Sequence, residues 1–356
     1  MKRVILILFV AAAALVLWNK FSTGKTTHTV SPQENVSAQN PILDRVNAKR
    51  AQRTPQEEGK TDTVVYDEQE PEIKRLTPEQ IEAYLLKTKR SPESLLNALW
   101  ETADTNYLAE AVKNFPDNPL VQWTMLWRGS PEERASWLEK LKASSPDNVL
   151  PNYLSALDSF KSGNIDKALA EMDSGSSKHY SAFEKERAQS REEMYLMSGF
   201  SPLEARIQGM EAIVLPNVSE MKALAQEISA LQQKYTSAGD TASAQQLAVL
   251  GIEASRKLCL PNESFLINTL VGMSMEMIAL KNLDANTHYG FLGRTAGERQ
   301  QELKNQKQEM KDLAGVHDNN YSQLSDVEKM IYTDRLRLYG ELNAMKWLKK
   351  YSSDSK

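Results

Sequence analysis

The sequence has almost no cysteine, since Cys259 is the single one in 356 residues. One cysteine rules out a disulfide within the chain and any metal site built from several thiolates. Leu258 and Leu260 flank it, so we expect a small buried apolar side chain. A redox or nucleophilic role would require a histidine or lysine beside the thiol.

Motifs for catalysis and cofactor binding are also absent from the sequence. None of the four histidines (His28, His179, His288 and His317) has another ligand at the spacing of a zinc site such as H-E-x-x-H. We expect all four on the surface, with His28 in a linker. There is no G-x-S-x-G nucleophile elbow, and the glycine-rich segment 290–297 is expected to be a turn between helices. We therefore predict no catalytic residue, no cofactor and no metal.

An excess of charge of one sign is lacking as well. Lysine and arginine number 43, aspartate and glutamate number 47, and the net charge of −4 is spread along the chain. A nucleic-acid-binding protein normally carries a basic face or stripe. We therefore exclude nucleic acid as a partner.

One long hydrophobic run is present, residues 4–18, directly after Lys2 and Arg3. As a helix it spans about 22 Å, which is short for a hydrocarbon core of ~30 Å. Trp18 and Phe21 suit the membrane interface and extend the effective span.

Two interpretations of this N-terminal segment stay open. Residues 1–21 form an uncleaved signal anchor, a single membrane pass with the N-terminus in the cytoplasm. Alternatively, the small residues 22–24 mark the cleavage site of a signal peptide, which would release a soluble secreted protein. We favour the anchor. Both interpretations place the body outside the cytoplasm, in the periplasm if the protein is bacterial.

Residues 22–76 have the composition of a linker. Polar and charged residues dominate, and a basic patch near residues 45–53 precedes an acidic one near residues 57–72. Such a segment cannot bury enough apolar surface to offset its conformational entropy. We predict a disordered linker with a mean span of about 40 Å.

Beyond this linker the sequence lacks any sustained alternation of apolar and polar residues, so strands are not expected. Helix starts are frequent instead. A Ser or Thr followed by Pro, with Glu or Gln in the third position, occurs at Thr77, Ser130 and Ser201. Ser91 and Asn118 also precede a proline. Because apolar residues between these starts recur at helical spacing, the predicted fold class is all-α.

Residues 146–172 form the clearest unit, two short helices joined at Gly163-Asn164. Ala156 and Ala168 are small residues where the two helices would approach each other, and Pro-Asp-Asn at residues 116–118 recurs at 146–148. These features resemble the tetratricopeptide-repeat family, whose units are helix–turn–helix modules. The resemblance implies TPR-like helical hairpins stacked as a superhelix over residues 77–260.

The resemblance also implies a groove lined by the first helix of each unit. At the matching positions the chain has apolar or aromatic residues, namely Leu150, Tyr153, Leu157 and Phe160. The basic residues with which some family members hold acidic peptide tails are missing there. These four residues are therefore possible partner-binding residues for an apolar peptide, and the alternative is that they belong to the core.

Residues 261–356 are expected to be a C-terminal helical capping region. A mostly apolar helix over 265–283 precedes a very polar one over 298–313, which is an outer helix or a projecting arm. A final helix over 325–351 is expected to have a polar outer face and to close the superhelix. Its apolar side is predicted to comprise Val327, Met330, Ile331, Leu338, Leu342 and Met345.

Together these features predict a membrane-anchored, extracytoplasmic, TPR-like scaffold that binds other envelope proteins or peptides without catalysis. Two alternatives remain. One is an envelope enzyme whose site, made of residues distant in sequence, carries no motif. The other is a secreted soluble helical binding protein.

Overall fold

Fifteen α-helices make up most of the part of the chain that the computed structural model describes, residues 75–211, 215–259 and 265–354. The first nine are α1 (Pro78–Lys87), α2 (Pro92–Thr102), α3 (Thr105–Asn114), α4 (Pro119–Arg128), α5 (Arg134–Ser144), α6 (Leu150–Lys161), α7 (Ile165–Ser174), α8 (Glu184–Met197) and α9 (Pro202–Glu211). The other six are α10 (Asn217–Ser237), α11 (Thr241–Leu258), α12 (Leu266–Leu280), α13 (Ala296–Asn320), α14 (Asp326–Tyr339) and α15 (Glu341–Asp354). The predicted all-α class is confirmed.

The glycine-rich turn between α12 and α13 contains a small β-hairpin. Strands β1 (His288–Tyr289) and β2 (Arg294–Thr295) pair antiparallel, with His288 opposite Thr295. Two residues per strand are too few to leave an alternating pattern in the sequence. Apart from this hairpin the described residues form no named strand, which agrees with the expectation that strands are essentially absent.

The helices begin largely where the sequence predicts them to begin. The side chains of Thr77, Ser91 and Asn118 each accept a hydrogen bond from a backbone amide two or three residues later, which satisfies donors of the first turn. The start predicted at Ser130 is confirmed in position, since helical turns begin at Pro131. The Ser130 side chain makes no capping bond, however, and the first turn is a 3₁₀ turn that continues into α5 at Arg134.

The hairpin predicted over residues 146–172 is confirmed as α6 and α7. Gly163 has φ +77°, a left-handed conformation that favours glycine, and the Asn164 side chain accepts from the amide of Lys167 at 3.2 Å. Other consecutive helices also pack on each other, among them α2 with α3, α4 with α5, α8 with α9, α10 with α11 and α11 with α12. The body therefore has a repeat-like architecture of helical pairs.

Two helices return to earlier parts of the chain. Helix α8 packs on α2, and α10 packs on α6. Tyr195 of α8 donates to Glu101 of α2 at 2.9 Å, and Arg134 of α5 donates to Glu220 of α10 at 2.8 Å. The faces of α2 and α6 that an open superhelix would expose are covered, and one apolar core includes side chains from Leu76 to Met275.

The last helices pack on the end of this array. Helix α12 contacts α10 and α11, α13 contacts α12 and α15, and α14 contacts α9 and α15. Gly340, with φ +81°, separates α14 from α15. The single final helix predicted over 325–351 is therefore wrong, because the chain turns at this glycine.

The predicted anchor (1–21) and all but the last two residues of the predicted linker (22–76) lie outside the described residues. Leu76, at the end of that linker, is buried and belongs to the core. Within the described ranges, no helix combines the length and the apolarity needed to cross a membrane.

Candidate functional site

The four residues predicted to line a groove lie in the core. Leu150, Tyr153, Leu157 and Phe160 are all buried, on a helix that packs against α5, α7 and α10. A partner could reach them only if the covering helices moved away. In this structure all four are core residues, which was the alternative interpretation given with the prediction.

The cysteine and the histidines occupy different environments. Cys259 follows α11, with its Sγ 3.5 Å from the carbonyl oxygen of Thr269, and burial raises the pKa of its thiol to about 12. His179 and His288 are exposed as expected, and His28 lies outside the described residues. The prediction that His317 lies in a surface turn is wrong. Helix α13 runs further than the sequence suggested, and His317 falls on its buried face.

Apolar side chains are exposed on α14. Val327, Ile331 and Leu338 are 70%, 42% and 67% exposed. Their spacing of four and seven residues puts them on one face of the helix. The expected polar outer face of the final helix is therefore wrong here. Helix α14 carries apolar residues on two opposite faces, and it is Tyr332 and Leu336 that pack inward.

A buried carboxylate holds α14 in place. Glu192 of α8 accepts from Arg206 Nε of α9 at 2.7 Å and from Arg337 Nη1 of α14 at 3.1 Å. Arg206 also donates to Asp334 of α14 at 2.6 Å. Because Glu192 and Arg206 are both buried, these charge-assisted bonds fix the orientation of α14 against α8 and α9.

Helix α15 supports α14 from another side. The Arg335 guanidinium lies 4.9 Å from the centre of the Trp347 ring, and Trp347 stacks on Tyr351. Hydrogen bonds from Ser325 and from the Tyr351 hydroxyl lower the pKa of Glu328 to about 2. The exposed face of α14 is thus the outer side of a well-anchored helix.

A cavity of about 360 Å³ lies beside α14, between it and α8, α9 and the start of α12. Its apolar lining comprises Ala188, Met210, Phe265, Leu336 and Leu338. Lys185, Glu186, Gln189 and Arg337 add polar groups of both signs. We call the exposed side chains of Val327, Ile331 and Leu338, together with this cavity, the α14 surface. Leu338 belongs to both parts, so the apolar area is continuous.

A second cavity, of about 420 Å³, lies on the hairpin that the sequence singled out. Ser155, Asp158 and Ser159 of α6 line it, on a different face from the four predicted residues. Asp158 is paired with Arg134 at 2.8 Å. The cavity is lined mainly by polar and charged side chains, so it offers less to an apolar ligand than the α14 surface does.

No protein-family model, curated protein or solved structure significantly matches the chain. The TPR-like resemblance therefore depends on the residues of the chain itself. Among the described residues there is no group of three or more His, Cys, Asp or Glu side chains that could hold a metal ion.

The sequence did contain a signal for the α14 surface. Val327, Ile331 and Leu338 lie on the face of the helix opposite Leu336, with Tyr332 beside it, so α14 is apolar on two sides. Because α14 lies at the edge of the body, only one of its two apolar sides packs against other helices, and the other side is exposed. The sequence does not show which of the two apolar sides packs inward, because that depends on the helices against which α14 packs, α9 and α15.

Proposed function

We propose that the chain is a membrane-anchored, extracytoplasmic, TPR-like scaffold that binds other proteins without catalysis, and that the α14 surface is where it binds them. The observation that supports this most is the exposure of Val327, Ile331 and Leu338 next to an apolar cavity. Contiguous exposed apolar patches of this kind mark interaction sites in soluble bodies.

The energetics favour a protein partner. Complete burial of a Val, Leu or Ile side chain is worth about 1.5–3 kcal/mol, and these three side chains are partly to largely exposed in the free chain. The cavity beside Leu338 is of a size that accepts one large apolar or aromatic side chain. Such an anchor residue with apolar neighbours is the usual energetic centre of a protein interface.

The rigidity of the site supports the same proposal. Glu192 and Arg206 hold α14 before any partner arrives, so little ordering entropy is lost on binding. A helix groove that is already formed typically receives an amphipathic segment of another protein.

The proposed location follows from residues 1–21 acting as an uncleaved anchor, with the N-terminus in the cytoplasm and the body outside. The partners are then other envelope proteins or peptides. Alkaline washing of the membranes tests the anchor, since an anchored chain stays in the membrane pellet. Release of the full-length chain into the wash would contradict the anchor and favour the secreted alternative.

A photo-activated cross-linking residue tests the binding site in the native envelope. We expect protein adducts when the probe replaces Ile331 or Leu338. The matched control is Leu86, which is 72% exposed on α1 and does not line the cavity. Adducts from Leu86 as strong as those from α14, or none from either α14 position, would overturn the proposal.

A further inference from the structure

We infer that the occupant of the α14 surface is α14 of a second copy of this chain, packed against it in the antiparallel direction. This inference rests on the proposed function, in which that surface binds protein. The chain would then form a symmetric dimer, in which the α14 surface of each copy contacts the α14 surface of the other.

The spacing of the exposed residues is that of a helix–helix seam. Val327, Ile331, Asp334 and Leu338 are separated by four, three and four residues, which are positions d, a, d and a of a heptad repeat. Leu336, which packs inward, is at position f on the opposite side of the helix. The exposed face of α14 therefore has the pattern that suits a second helix.

The charges along α14 favour the antiparallel direction. Asp326, Glu328 and Lys329 lie near its start, which is acidic by one charge, and Asp334, Arg335 and Arg337 lie near its end, which is basic by one charge. In an antiparallel pair the acidic start of one helix lies beside the basic end of the other, whereas a parallel pair brings like charges together. The helix dipoles also attract in the antiparallel arrangement.

The polar residue in the seam fixes the register. Asp334 is bonded to Arg206 at 2.6 Å and is 55% exposed in its side chain, so its charge already has a partner within its own chain when it lies in the seam. With the symmetry axis between Ile331 and Asp334, Val327 lies opposite Leu338 of the second copy. A shift by one heptad would remove both Val–Leu layers, because the two are related by the symmetry axis.

The seam is short, so we expect the dimer to be weak. Fourteen residues form only two heptads, about 21 Å of helix. A contact of this length is weak between molecules free in solution. If both copies are tethered to one membrane, their effective concentration rises and the pair forms without any new contact.

Oxidative cross-linking of the full-length chain in its membrane tests the inference. Val327→Cys and Leu338→Cys are combined in one variant, and each is also made alone. In the antiparallel register the double variant forms a covalent dimer through residue 327 of one copy and 338 of the other. In each single variant the equivalent positions are about 16 Å apart along the helix, too far for a disulfide.

We expect at least ten times more covalent dimer from the double variant than from either single one. The two cysteines cannot bridge within one helix, because their Cα atoms are also about 16 Å apart. The natural chain, whose one cysteine is the half-buried Cys259, measures any background from that thiol. Leu86→Cys measures random collisions, and an unchanged Tm shows that each variant is folded.

Three outcomes would overturn the inference. Covalent dimer from the single variants at the level of the double variant would mean a parallel pair or random collision. No dimer, with photo-adducts to other proteins still formed at Ile331 and Leu338, would mean that the surface binds a different partner, so the proposed function survives. Neither dimer nor adducts would overturn both.

Discussion

At the scale of single residues, two buried titratable groups have opposite effects on stability. Glu341, at the start of α15, accepts a hydrogen bond from the amide of Leu266 at 2.8 Å, and burial raises the pKa of its carboxyl to about 7. His317 stacks on Tyr321, and burial lowers the pKa of its imidazole to about 4. Each group is therefore most favourable in its neutral form in the folded chain.

Glu341→Gln is expected to remove one pH dependence. The folded pKa of Glu341 is above the unfolded value near 4.3, so its stabilising contribution is present below that value and is lost as pH rises toward 7. The glutamine keeps an oxygen for the Leu266 amide but carries no charge. Urea unfolding should find the variant about 2–4 kcal/mol more stable than the natural chain at pH 8, and nearly equal at pH 4. Equal stability at both pH values would contradict the raised pKa.

His317→Phe is expected to act in the opposite direction. The folded pKa of His317 is below the unfolded value near 6.5, so its contribution is present above that value and is lost as pH falls toward 4. Phenylalanine keeps the ring contact with Tyr321. Between pH 6.5 and pH 4 the variant should lose about 2–3 kcal/mol less than the natural chain. The same slope in both chains would show that His317 is not neutral in the fold.

At the scale of elements, the helix starts and the hairpin turn could be predicted because each depends on residues adjacent in the sequence. The starts at Thr77, Ser91 and Asn118 and the hairpin at Gly163 each depend on a few adjacent residues, and all are present. The return of α8 to α2 depends on pairs such as Tyr195 and Glu101, which are 94 residues apart. No local pattern encodes such a pair, so the covering of α2 and α6 could not be predicted.

The turn at Gly163 can be tested with a matched pair of glycines. A methyl group at Gly163 or at Gly315 meets no atom within 4 Å, but only Gly163 has a positive φ, +77°. Gly163→Ala should therefore lower the free energy of unfolding by about 1 kcal/mol through backbone strain alone. Gly315→Ala, within α13, should raise it by about 0.5–1 kcal/mol. The same sign for both variants in urea unfolding would contradict this account.

The docking of α14 can be tested at Glu192. Glu192→Ala leaves Arg206 without its buried partner, which should cost about 3–5 kcal/mol. Hydrogen exchange should then be faster in α14 and α15 than in α6 and α7. Glu193→Ala is the control, because this neighbour is exposed and makes no bond to α14. If both variants exchange alike, Glu192 does not hold α14.

At the scale of the whole molecule, the body is an array of helical pairs whose inner faces are filled by its own later helices. Leu150 and Tyr153, where a groove was expected, are buried on a helix that packs against α5, α7 and α10. The apolar area that we propose as the binding site lies instead on α14. Which of its two apolar faces packs inward depends on α9 and α15, and this is why the sequence alone assigned it to the core.

The size of the complex that the full-length chain forms, measured by sedimentation after mild detergent extraction, tests the central claim most directly. We expect Ile331→Glu and Leu338→Glu to reduce the complex to the mass of one chain, because each places a charge in the middle of the α14 surface. Leu86→Glu, at a site 72% exposed on α1, should leave the complex unchanged. A complex of unaltered size in both α14 variants would contradict the account.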